Sequence, residues 1–298
     1  MSIPGAVRPV LAVALLLGTA ACAERTGSPG SASPSSAVAL PDGDEGTLVL
    51  QAEFTGGFVT PETIPSRLPL ASVYADGRVL VEGPVAAIYP GFAWPNVQVL
   101  DIGPDGVQAL ADRALAAGVA ETDDLGMPPL ADVPSTRFTL VTAEETYVRE
   151  VYGLTETQGM PDTGLTEQQL AARGELSGLL DELTGLAVSE DGAPVPESWT
   201  PAAVAAVVRP WTPSEEDIAQ GLTPEPRAWP GPPLPGEPLG PFPDLGCVTA
   251  SGPEATAVIE AAKAANMLTP WLSADGARWS LLFRPLLPHE TSCADLVD

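Results

Sequence analysis

Apolar and polar residues change period along the chain, and each period predicts an element. Leu48, Leu50, Ala52 and Phe54 alternate with Val49, Gln51 and Glu53, the period of two expected of a half-buried strand. Leu70 to Ala75 and Arg78 to Val81 flank Asp76-Gly77, a dipeptide that predicts a hairpin closed by a type I′ turn. A short strand is expected from Val97 to Ile102. After it Pro104 opens a helix in which Val107, Leu110, Ala111, Ala114 and Leu115 recur at helical spacing up to Gly118. Phe138 and Leu140, then Tyr147, Arg149 and Val151, alternate with their neighbours and predict a second hairpin turning at Ala143 to Glu145. Thr166 and Gln169 have capping-box spacing ahead of the stripe Leu176, Leu179, Leu180 and Leu183, which ends at Gly185.

The pattern then breaks. Residues 187–245 are proline-rich, with nine prolines in the twenty positions from Pro224 to Pro243, so this stretch is expected to be a connecting segment of polyproline-like coil. A short strand from Ala203 to Val208 is its one regular element. Periodicity returns with a strand at Cys247 to Ala250, a helix from Pro253 to Asn266, a segment to Ser273, and a strand from Arg278 to Arg284 with Trp279, Leu281 and Phe283 inward. The expected class is α+β: mainly antiparallel sheet with helices packed on one face. Residues 47–186 form the larger domain and residues 246–298 a small unit. Both carry a strand, a helix and two strands, at about 97 to 152 and 246 to 284, so two βαββ-like units joined by the proline-rich segment are expected.

Ahead of this body, Arg8 is followed by the apolar run Val10 to Leu17 and by Gly18, Thr19, Ala20, Ala21 and Cys22. That run is short for a bilayer span and ends in small residues, as an export signal does. The small residues leading into Cys22 resemble the lipobox of bacterial lipoproteins, with Thr19 where an aliphatic residue is usual. The resemblance implies cleavage after residue 21 and acylation of Cys22, which would then hold the chain to the outer side of the cell membrane; two or more acyl chains make such an anchor stable. Residues 22–46, rich in Ser, Pro and Gly, are expected to be a flexible stalk. From Leu48 onward the chain resembles actinobacterial lipoproteins, a resemblance that implies no activity.

Charge and cysteine content narrow the remaining choices. The 298 residues hold 13 Lys+Arg against 39 Asp+Glu, a formal net charge of −26, which disfavours binding to nucleic acid. His289 is the single histidine, so no multi-histidine metal centre can form, and no metal or other cofactor is expected. With Cys22 assigned to lipid, Cys247 and Cys293 remain as a pair in a compartment where disulfides persist, and they are expected to bond. Closing that loop should stabilise the fold by about 4 kcal/mol.

Candidate chemistry is sparse. The chain lacks a G-x-S-x-G elbow, a Walker A loop and a G-x-G-x-x-G fingerprint, and its adjacent acids Asp123-Asp124 and Glu144-Glu145 read as solvated surface. The binding-like feature is the loop Tyr89-Pro90-Gly91-Phe92-Ala93-Trp94-Pro95, where Tyr89, Phe92 and Trp94 would offer contact area at little entropic cost; the competing expectation is that these aromatics cap the sheet as a satellite core, as tryptophan beside proline does elsewhere in this chain. The expectation is a membrane-tethered binding or interaction module, its partner an envelope protein or a small ligand. The alternative is a secreted hydrolase using acidic residues or His289.

Overall fold

Local signals become elements where they agree with what packs against them. The computed structural model describes residues 37–43, 45–188, 195–242 and 244–297. Within Ala37–Asp298 the chain forms one compact unit. Its elements in chain order begin with β1 (Leu48–Gly56), α1 (Thr63–Ser66), β2 (Ala71–Tyr74), β3 (Arg78–Glu82), β4 (Val97–Asp101) and α2 (Gly103–Ala116). Next come β5 (Pro134–Val141), β6 (Thr146–Tyr152), α3 (Glu167–Gly185), β7 (Glu197–Ser198), β8 (Ala203–Pro210), α4 (Glu215–Ala219), β9 (Arg227–Ala228) and β10 (Glu237–Pro238). The chain closes with β11 (Gly246–Ser251), α5 (Gly252–Lys263), β12 (Trp271–Leu272), β13 (Arg278–Pro285) and a 3-10 turn, Cys293–Leu296.

Two sheets result, and the class is α+β. The first has strand order β6-β5-β1-β2-β3-β4-β7, the second β10-β11-β8-β13-β12-β9. Every pairing is antiparallel except that of β9 with β12. Helices α2 and α3 bury Val107, Leu110, Leu176 and Leu179 against Leu50, Val73, Phe138 and Leu140 on one face of the first sheet. Helix α5 does the same for the second, setting Val258 and Ile259 against Val204, Val208, Trp271 and Phe283. The opposite, back face of the first sheet carries a smaller cluster of Leu68, Tyr74, Leu80 and Val97, into which Leu287 inserts from beyond the end of β13.

The capping box forms as expected: Gln169 N–H donates to Thr166 Oγ1 at 3.2 Å and Thr166 N–H to Gln169 Oε1 at 3.0 Å. Asp76-Gly77 also closes its hairpin, by a different turn from the type I′ expected. Gly77 N–H donates to the Tyr74 carbonyl at 3.1 Å, and Gly77 is left-handed with φ 98°. Asp76 keeps a negative φ, so the connection is a three-residue loop ending in a left-handed glycine. A Cβ at position 77 would come within 2.8 Å of Asp101 Oδ1, so glycine serves both conformation and space.

Three boundaries differ from those expected. The stalk does not extend to residue 46: Val38 and Leu40 pack on the first core, Val38 N–H donates to Asp112 Oδ1 at 2.9 Å, and Ala143 N–H to the Ala39 carbonyl at 2.8 Å. The four apolar residues Ala37 to Leu40 are enough to dock the segment beside α2. Residues 187–245 are not merely connecting, since they supply β7 to the first sheet and the buried strand β8 to the second, with short β9 and β10 at its edges. Residues 246–298 are therefore not a separate unit, because β8 lies between β11 and β13. The two βαββ runs also differ in topology: three strands separate β4 from β5, whereas two, β8 and β13, separate β11 from β12.

Candidate functional site

The loop joining β3 to β4 leaves the first sheet and lies across the second. Ala93 and Trp94 turn inward onto the core of the second sheet, Trp94 meeting Phe283 with ring centroids 6.3 Å apart. Backbone bonds fix the approach: Ala93 N–H donates to the Ala265 carbonyl at 3.2 Å and Met267 N–H to the Gly91 carbonyl at 2.9 Å. Trp94 is thus an anchor of the loop, which fits the sheet-capping expectation for this residue and removes it from the possible binding residues. The core it joins is aromatic, with Trp271 edge-on to both Trp229 and Phe283.

The remaining aromatics face outward. Tyr89 and Phe92 leave 60% and 64% of their surface in solvent. The Tyr89 hydroxyl donates to Asp217 Oδ1 at 2.7 Å, and that bond, with Glu216 nearby, raises the phenol's pKa above its ordinary value. Asp217 is itself buried, and its N–H is capped by Ser214 Oγ at 3.1 Å, so the tyrosine is held by an oriented carboxylate. Val85 and Ile88 on the same loop are exposed too, and so are Ile218 beside Asp217 and Met267 beside Gly91. A Cβ at position 91 would lie 3.6 Å from Met267 Sδ, which places that thioether against the loop.

Exposed apolar side chains therefore stand at Val85, Ile88, Tyr89 and Phe92 along the loop, and at Met267 and Ile218 on the segments hydrogen-bonded to it or next to such a segment. Clustered apolar exposure is a feature of interaction sites. The loop pattern pointed to Tyr89 and Phe92. Ile218 and Met267 carried no local signal, because they reach this face from elements more than a hundred residues away.

His289 lies elsewhere, behind the first sheet. Its Nδ1 sits 3.0 Å from the Tyr74 hydroxyl. Burial, reinforced by the neighbouring Arg284 guanidinium, lowers its pKa to about 4, so the ring is neutral near pH 7. Burial also raises the pKa of Tyr74 well above the usual phenol range. Beside this pair, Arg284 Nη2 meets Glu290 Oε1 at 2.6 Å, with only 3% and 8% of the two side chains exposed. Glu290 Oε2 also accepts the Leu287 N–H at 2.7 Å. Arg284 and Glu290 spend most of their hydrogen-bonding capacity on each other and on the backbone of Arg67, Pro285 and Leu287, and together with His289 they line a cleft behind the first sheet.

Cys247 and Cys293 form the expected disulfide, with Cα atoms 6.1 Å apart. Cys22, expected to carry lipid, lies outside the described residues. Among the described residues no helix is long and apolar enough to cross a membrane, and no three His, Cys, Asp or Glu side chains gather as a metal site. No protein-family model and no curated protein matches the chain.

Proposed function

We propose that the protein is an extracytoplasmic lipoprotein, tethered through Cys22, whose folded body is an interaction module that docks a protein partner through the face around Tyr89 and Phe92. The observation that carries this reading is the exposed apolar face on a loop already fixed at both flanks, by Trp94 in the second core and by Tyr89 on Asp217. The backbone between these two anchors has less freedom to lose on binding, and aromatic side chains dominate interface energetics. Glu215 and Glu216 border the face in a strongly acidic chain, which favours a partner with basic residues around an apolar centre. The signal-like segment and lipobox ending at Cys22 support the tether.

Two experiments test the halves of the reading separately. A photo-crosslinking phenylalanine analogue at position 92 in intact cells should capture one discrete protein, while the same analogue at the exposed position Met127 should not. Equal capture at both positions, or none at 92, overturns the docking face. Cys22→Ser should move the protein from the membrane to the soluble fraction or leave its signal uncleaved. Unchanged fractionation and processing overturn the tether.

A further inference from the structure

A second site, independent of the loop, lies where the back of the first sheet meets the carboxy-terminal segment. Here a half-open cleft of about 810 Å³ lies within the range of small-ligand sites. Its floor is set by strand register. Glu53, Arg137 and Glu150 stand side by side across β1, β5 and β6, and the next row on the same face is Thr55, Ser135 and Tyr152. Arg137 lies between two carboxylates, its Nη1 3.8 Å from Glu53 and its Nε 3.5 Å from Glu150, while Thr55 Oγ1 donates to Glu150 at 3.0 Å. The carboxy-terminal side of the cleft adds the apolar side chains of Phe242, Leu296 and Val297 beside His289, Glu290 and Asp295.

We infer that this cleft is a binding site for a neutral, polyhydroxylated ligand, a short oligosaccharide. Charge selects neutrality. Arg67, Arg137 and Arg284 line the cleft together with Glu53, Glu150, Glu290 and Asp295, a near balance in a chain whose net charge is −26. An anionic ligand reaching Arg137 would meet a carboxylate on either side, and a polycation would meet Arg67 and Arg137. A wholly apolar ligand would strip water from the floor without replacing its hydrogen bonds. Hydroxyl groups both donate and accept, so they suit a floor that alternates carboxylate with guanidinium and hydroxyl. The C–H face of a sugar ring would then rest on Phe242 and Leu296.

The test is calorimetric titration of the full chain with neutral trisaccharides of glucose, galactose, mannose and N-acetylglucosamine, with trilysine and tripolyphosphate as charged probes. At least one trisaccharide should bind with a dissociation constant in the millimolar range or tighter. Phe242→Ala and Arg137→Gln should each weaken binding about tenfold or more. The partly exposed Phe242 can be cut back without opening a core, so an unchanged unfolding midpoint in that variant separates loss of binding from loss of fold. Phe92→Ala, on the other face, should leave trisaccharide affinity unchanged, so this site and the docking face stand or fall separately. No binding of any trisaccharide in the millimolar range, preference for a charged probe, or binding that survives both cleft substitutions overturns the assignment.

Discussion

The Cys247–Cys293 bond holds the wall of the cleft, and removing it in a Cys247→Ala/Cys293→Ser double variant has a calculable cost. The bond closes a loop across a sequence separation of 46. In the chain-entropy account, freeing that loop in the unfolded state costs about 4 kcal/mol of stability. Truncating Cys247, buried in the small cluster with Ala205, Val207 and Leu286, adds about 1 kcal/mol for the lost packing. Residual structure in the unfolded chain acts the other way. A net loss of about 3 to 5 kcal/mol is expected, against a total of about 5 to 15 kcal/mol for a typical domain. Cys293 N–H still reaches Thr249 Oγ1 at 3.1 Å, so the 3-10 turn should loosen rather than leave. Urea denaturation read by near- and far-ultraviolet circular dichroism gives the free energy, and amide exchange shows where protection falls, expected first in residues 286–297. A double variant within about 1 kcal/mol of the parent, with protection of that segment intact, would refute the reasoning. The Arg284–Glu290 pair and Leu287 would then be sufficient to hold the wall.

Glu290→Ala leaves the buried Arg284 without its carboxylate and the Leu287 N–H without its acceptor, so a loss of about 3 to 5 kcal/mol is expected in urea denaturation. Glu290→Gln, which keeps an acceptor, should lose less, and equal losses would contradict the assigned contacts. His289 has a folded pKa of about 4 against 6.5 for the free ring, so between these values the unfolded chain binds a proton that the fold refuses. Its contribution therefore makes stability rise with pH across that window, by about 2 to 3 kcal/mol after allowance for partial exposure. Burial of Glu290 raises its pKa and works in the opposite direction, so the quantity to measure is the difference in pH slope between the parent and His289→Gln. Parallel slopes would remove His289 as the cause. Thr166→Ala deletes the cap of α3 and should cost about 1 kcal/mol, which Thr166→Ser should largely restore in thermal unfolding.

The elements that were legible in the sequence rest on short-range physics. Both hairpins and the capped helix α3 depend on contacts within a few residues, and alternation or a capping box records those directly. Strand order is not local: β8 looked like an interruption in a proline-rich coil, yet its run of Val and Ala is what a strand buried on both faces requires. The seven residues from Ala37 to Gly43 read as the end of a stalk because the groups that dock them, Asp112 on α2 and Ala143 in the turn after β5, lie far along the chain. In the aromatic loop, composition alone could not separate Trp94 from Phe92. Two positions apart, they lie on opposite sides of a backbone whose course is set by Ala265 and Met267.

Both candidate sites lie where the chain crosses from one sheet to the other. The loop after β3 leaves the first sheet and plants Trp94 in the core of the second. The segment after β13 leaves the second and plants Leu287 behind the first. The crossings are reciprocal, and each is tied at its far end, one by Tyr89 on Asp217 and the other by Cys293 on Cys247. A crossing must satisfy its own backbone without a sheet partner along most of its length, so its side chains divide into those that anchor it and those left facing solvent. On the first crossing that division produces the exposed face around Phe92, and on the second it produces the wall of the cleft. Position in the topology, more than any residue type, is what leaves these two surfaces anchored on the fold and open to solvent.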